Sequence, residues 1–198
     1  MPDFTQRYLD WPTALRTLRT ADILLCRKSN LMGKAIEHVT HSQYVHAAMV
    51  GWTYSYENRY ARLMMGETIS HHDARVIDLE SEIARWPGYY DAFRVRKYNW
   101  RHDDGPDMAW HFMREASGGC YGWNYIWRVY FRRRLGRWLI PPIQNSDNPW
   151  DQADCSGLVH RAIRNASGPM WEKHDCDVTP GHLSERFTDY VGTLVYTQ

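Results

Sequence analysis

Apolar positions along the chain follow two rhythms, one before about residue 100 and one after it. In the first part, short apolar runs bounded by polar turns predict strands. ADILLCR (21–27), YVHAAMVGW (44–52), ARLMMGETIS (61–70), RVIDLE (75–80) and DAFRVRKY (91–98) are the segments. In the last of these Asp91, Phe93 and Val95 fall on one side and Ala92, Arg94 and Arg96 on the other, the period-two signature of a strand. Read in order, the block is an antiparallel meander. A short helix over Pro12–Arg19 precedes it, and one over 31–41 interrupts it, with Leu31, Ala35 and Val39 four apart. Beyond residue 100 the spacing turns helical. GPDMAWHFMREA (105–116) opens on a Gly-Pro break followed by an acid, and WNYIWRVYFRRRLGRWL (123–139) is a second helix. A third begins at Cys155 and stops before Pro169. A short helix within 178–187 and a strand over 191–197 complete the pattern. Strands first and helices mostly later predict an α+β class. The chain reads as one domain, 1–198, with an N-terminal extension (1–19) and a helical segment (99–150) able to act as a lid.

Composition narrows this only in places. The 198 residues suit a single core. A net charge of +1 names no acidic polymer as partner, and no nucleic acid is expected. The basic run from Arg128 to Arg137, with Arg132, Arg133 and Arg134 at its centre, is either a solvated helix face or a contact for an anionic surface. Ten Trp and thirteen Tyr supply a large aromatic core and flat faces for sugars or peptides. The four cysteines, at 26, 120, 155 and 176, lack CxxC spacing and read as reduced thiols. Glu37 and His41 share a helix face, but no HExxH is present, so no metal and no cofactor is expected. The opening MPDFTQRYLDW has no apolar signal core, and no run approaches about 18 apolar residues. These features predict a soluble protein, cytoplasmic or associated with a particle.

The chemistry concentrates in WDQADCSGLVHRAI (150–163). Asp154 is a good N-cap, because its carboxylate accepts a first-turn N–H. Cys155 then leads a helix whose Leu158, Val159, Ala162 and Ile163 form an apolar stripe. The helix dipole and free N–H groups at the tip favour a thiolate there. They also suit the oxyanion made when it attacks a carbonyl. Ser156 and Gly157 are small and allow close approach of a substrate. A nucleophilic thiol needs a base. His160 lies five residues on and off that face, and His174 and His182 fall in loops. His46 sits within the strand YVHAAMV, on the face the pattern assigns to Tyr44, Ala48 and Val50, with small neighbours Ala47 and Ala48. For the group that orients the imidazole, Glu67 on the next strand is the leading candidate, with His71 and His72 as alternatives. Tyr44, Tyr121 and Ser156 are candidates for oxyanion or substrate contacts.

These residues resemble a known family. Asp154-Cys155-Ser156-Gly157-Leu158-Val159 is similar to the nucleophile motif of NlpC-type papain-fold cysteine peptidases, the cell-wall amidohydrolases. Their catalytic His ordinarily follows the Cys. Here the matching strand, Tyr44 to Val50, precedes it, as in the circularly permuted branch that includes YiiX-like and lecithin–retinol acyltransferase-like proteins. Ala21-Asp22-Ile23-Leu24-Leu25, Gly119-Cys120-Tyr121-Gly122 and Asp177-Val178-Thr179-Pro180 resemble other segments of that branch. Ala21 and Ala48 stand where the branch usually has Gly, and Gly157 where it often has Glu. The resemblance implies a permuted papain-like fold, Cys155 as nucleophile, His46 as base and Glu67 as orienter. The implied activity is amide cleavage through a thioester, with peptidoglycan stem peptides as first-choice substrate. A lipid or amino-acid acyl transferase or esterase on the same site is the first alternative. A non-enzymatic structural or binding protein, such as a phage or envelope component, is the second.

Overall fold

A computed structural model describes residues 7–27, 31–55, 60–69, 73–86, 89–122, 131, 147–167, 177–185 and 188–196. The described elements are β1 (Tyr8–Leu9), α1 (Trp11–Thr17), β2 (Ile23–Cys26), α2 (Leu31–Thr40), β3 (His46–Ser55), β4 (Tyr60–Ile69), β5 (Asp73–Asp78) and α3 (Leu79–Arg85). After them come β6 (Tyr90–Val95), α4 (Gly105–Glu115), α5 (Cys155–Ser167), α6 (Pro180–Glu185) and β7 (Thr188–Leu194). The strands form a seven-stranded sheet in the order β1-β7-β6-β2-β3-β4-β5.

The meander therefore holds only from β2 to β5. The strand at Tyr90–Val95 crosses back to pair with β2, Ile23 opposite Phe93, and with β7 on its other side. Burial explains the move. Asp91 is 4% exposed and accepts hydrogen bonds from Arg27, Tyr44 and Thr193, partners that β5 would not supply. The sheet is also mixed, since Tyr8–Leu9 pair in parallel with Thr193–Leu194. Leu9 is fully buried, which ties this short N-terminal strand to the core. The strand pattern over 75–80 ends early. Asp78 accepts the Ser81 N–H at 2.9 Å and, with Glu80 and Glu82 in the first turn, starts helix α3. That is a cap signal legible in the sequence. The helix expected over 123–139, its lid role and Arg132–Arg134 lie outside the described residues, apart from Phe131.

Two buried clusters cover the two faces of the sheet. Ile23, Leu25, Ala47, Met49 and Phe93 pack with Ala109, Trp110 and Met113 of α4 and Leu158, Val159 and Ile163 of α5. Leu24, Ala48, Val50, Met65 and Ala92 pack with Ala14 of α1 and Leu79 and Ile83 of α3. A strand buried on both sides has no polar face, which is why HAAMV of β3 reads as a nearly continuous apolar run. Helix α4 lies very close to the sheet. A methyl group built at Gly51 would sit 1.9 Å from the Trp110 indole, so the glycine is what admits the ring.

Helix α5 is buried well beyond the single stripe its spacing predicts, because sheet, α4 and α6 all pack on it. Leu158, Val159 and Ile163 are at most 2% exposed, each worth about 1.5–3 kcal/mol of burial. Arg161, fully buried, donates to the carbonyls of Asn148, Asp151 and Gln152 at 3.2, 2.9 and 3.2 Å. It thereby fixes the approach of the chain to Cys155.

Candidate functional site

Asp154 caps α5 as its position predicts. Its Oδ1 accepts the Gly157 N–H at 2.6 Å, and its carbonyl accepts the Leu158 N–H at 2.9 Å. Cys155 is thus the first residue of the helix, half-buried and unbridged. The ladder between β3 and β4 begins at Ala48 opposite Glu67. Before it, His46 and Ala47 pair only with β2, while Thr68 and Ile69 pair only with β5. The sheet therefore opens beside His46, and there the tip of α5 comes close enough for the charge of Cys155 to act on the imidazole.

The imidazole is 17% exposed. Its Nε2 lies 2.7 Å from Glu67 Oε2, so Glu67 does not engage Nδ1. Burial is the largest influence on this ring and by itself lowers its pKa. The Cys155 thiolate and then Glu67 outweigh it, so His46 stands well above its usual value of 6.5. That is the direction of an imidazolium paired with a thiolate. Glu67 is 3% exposed, and burial alone would raise its carboxyl. His46 and Arg75 reverse this and bring it down to about 2. Arg75 donates through Nε at 2.8 Å and Nη2 at 2.5 Å, both to Oε1. Each oxygen of Glu67 thus has its own cation, and the carboxylate has one orientation.

Tyr121 reaches the site from another direction. Asp73 Oδ1 accepts its N–H at 3.0 Å, Ala74 exchanges backbone bonds with Gly118 and Gly119, and Gly122 bonds the carbonyl of Ala153. These ties set Tyr121 in a bridge with Ala153, next to the cap of α5. Burial, followed by the charges of Cys155 and Asp154, pushes its phenol up, so it keeps its proton. Two other candidates are occupied elsewhere. Tyr44 precedes β3 rather than sharing the His46 face. It packs edge-on against Phe93, and its hydroxyl donates to Asp91 at 3.0 Å. The Ser156 hydroxyl is 2% exposed and donates to the Val178 carbonyl at 2.9 Å, where it ties α5 to the segment before α6. His71 and His72 lie outside the described residues.

No protein-family model matches the chain, and no curated protein matches its sequence. Among solved structures the chain is similar to the crystal structure of metalloprotein YiiX from Escherichia coli O157:H7. The TM-score is 0.58 at 15% identity, over 89% of this chain and 98% of that one. The fold is YiiX-like.

Within this YiiX-like fold the sequence pattern missed Arg75 and Asp73. The signal was present. Strands β4 and β5 reflect about residue 71, and that symmetry sets Arg75 opposite Glu67 and Asp73 opposite Ile69. Pairing the two strands on paper finds both residues. Among the described residues no helix is long and apolar enough to cross a membrane.

Proposed function

We propose that the protein is a cysteine hydrolase of permuted papain-like type, cleaving an amide bond through a thioester acyl-enzyme. The observation that carries the reading is the setting of His46: Nε2 faces Glu67 at 2.7 Å while Cys155 is near enough for its charge to act on the ring. In the proposed reaction His46 takes the thiol proton, and Sγ attacks the amide carbon. The oxyanion lies against the Cys155 N–H and the Tyr121 hydroxyl, which supply hydrogen bonds where charge develops. As the C–N bond breaks, His46 returns its proton to the departing amine. Water then attacks the thioester, giving up a proton to His46, and releases the acid and free Cys155. Glu67 steadies the imidazolium and fixes the ring, and Arg75 fixes Glu67.

The resemblance carried by Asp154 to Val159 and Tyr44 to Val50 makes peptidoglycan stem peptides the first substrate class to try. The Escherichia coli YiiX protein is described as a metalloprotein. Among the described residues here, no group of three or more His, Cys, Asp or Glu side chains is arranged to hold a metal ion. His46 instead pairs with Glu67 and lies within reach of the Cys155 charge, so the described residues do not fit a metal centre and no step is routed through one. The test is incubation with a stem tetrapeptide, with mass spectrometry of both products and protein. New amine termini and a transient acyl adduct on Cys155, both absent in Cys155→Ala, are expected. A folded protein that forms neither adduct nor product with amide or ester substrates would indicate a binding protein that keeps the fold.

A further inference from the structure

A cleft of about 1290 Å³ opens at the opposite end of β2 from Cys155. Ala21 and Asp22 line it where β2 begins, whereas Cys26, the partner of His46, ends the strand. Four residues at about 3.3 Å each separate the two by about 13 Å. Its lining also includes Trp52 and Trp100, with Arg19, Lys97, Arg101 and His102. The charges are unequal in availability. Arg94 is committed to Asp22 by two bonds of 2.9 and 2.7 Å and to the Thr17 carbonyl. Lys97 meets Asp103 at 3.5 Å, both at least 90% exposed, a pairing that water largely cancels. Arg19 and Arg101 are exposed and make no close ion pair among the described residues, although the Arg19 charge also acts on Asp22. Both indoles are anchored. Trp52 donates its ring N–H to the Leu18 carbonyl at 3.4 Å, and Trp100 rests on Gly105, where a methyl group would come within 2.9 Å of the ring.

Anchored indoles beside exposed guanidinium groups match one ligand chemistry well. The C–H face of a sugar ring packs on an indole, and a ring carboxylate accepts paired bonds from arginine. The volume exceeds the roughly 300–1,000 Å³ of ordinary small-molecule pockets, which suits several linked rings rather than one compact molecule. We propose that this cleft binds an acidic carbohydrate chain, with rings on Trp52 and Trp100 and carboxylates on Arg19 and Arg101. The site needs no chemistry at Cys155, so it stands or falls apart from the hydrolase reading.

The experiment is calorimetric titration of the Cys155→Ala protein at low salt with tetragalacturonate, neutral cellotetraose and ATP. Saturable binding of tetragalacturonate below about 1 mM is expected, with cellotetraose at least tenfold weaker. Trp100→Ala weakens the acidic sugar at least tenfold. So does the exposed pair Arg19→Gln/Arg101→Gln, which removes the charges without setting a new carboxylate beside Asp22. No saturable binding, affinity indifferent to these substitutions, or tighter binding of ATP than of the acidic sugar would each overturn the proposal.

Discussion

Two buried carboxylates, one at each end of the central strands, are held by an arginine through two bonds, yet they behave in opposite ways. Glu67 is 3% exposed and sits down at about 2. Asp22 is 1% exposed, and burial, its largest influence, holds its carboxyl above the ordinary value despite Arg94. The difference is a second cation in direct contact. Glu67 has Arg75 on one oxygen and His46 on the other, whereas Asp22 has Arg94 on both oxygens, the backbone N–H of Arg19 and only the more distant charge of the Arg19 side chain. Contact with one guanidinium does not offset the loss of water around this buried carboxylate; contact with a guanidinium and an imidazole does at Glu67. The pairing at Asp22 is thus a structural latch on the turn before β2. The one at Glu67 is an electrostatic partner for the His46 imidazole and helps raise its affinity for a proton.

The largest expected effect tests whether the Glu67 end is reactive at all. Cys155→Ala abolishes turnover of a stem peptide, a loss of at least about 10³-fold, with an unchanged circular dichroism spectrum. Residual turnover would remove the nucleophile from the mechanism. Next, iodoacetamide modifies Cys155 faster than the exposed Cys120 at pH 6, followed by peptide mass spectrometry. His46→Ala abolishes that preference, because the thiolate loses its partner. Equal rates at the two cysteines would reduce the Glu67 end to a second latch.

The third test concerns position. Glu67→Gln lowers kcat about 10- to 100-fold with little change in KM, since Gln keeps a hydrogen bond but not the charge. Arg75→Lys retains more activity than Arg75→Gln, and the acid limb of the pH–rate profile moves only in the latter. Equal losses in kcat and stability for both Arg75 variants would mark a purely structural role.

The smallest effect sets the two carboxylates against each other in chemical denaturation. Glu67, lowered in the fold, contributes stability that is full above its ordinary value of 4.5 and is lost as pH falls towards about 2. That loss is about 3 kcal/mol. Glu67→Gln should therefore flatten the decline between pH 5 and 2. Asp22, raised in the fold, contributes in the other sense, since its folded form holds a proton more tightly. Asp22→Asn should steepen the same decline. Identical slopes in both variants would dissolve the contrast.

Much of this was legible in the chain. The cap at Asp154 and the thiol at the tip of α5 follow from local rules, because capping joins residues three apart. His46 stood out as a histidine in an apolar run, and Glu67 as the acid one strand later. Strand partners were less legible. The pattern of Tyr90–Val95 shows a strand, but it does not say that Asp91 needs Arg27, Tyr44 and Thr193, the contacts that carry it to the other side of β2. Tyr44 was misplaced for the same reason: alternation runs only while the chain is extended in register, and β3 begins at His46.

By itself, the sequence determined what is set by neighbours along the chain: most of the described elements, though not β1 or α3, the cap, the thiol at a helix tip, and a histidine and an acid on consecutive strands. Tertiary structure alone decided how those pieces meet. It opened the sheet between β3 and β4 beside His46, gave each oxygen of Glu67 a different cation, brought Tyr121 to the cap through Asp73, and assigned the Tyr44 and Ser156 hydroxyls to other partners. The physical reason is that capping and periodicity act over a few residues. Desolvation and charge pairing depend on which distant groups the packed chain encloses together.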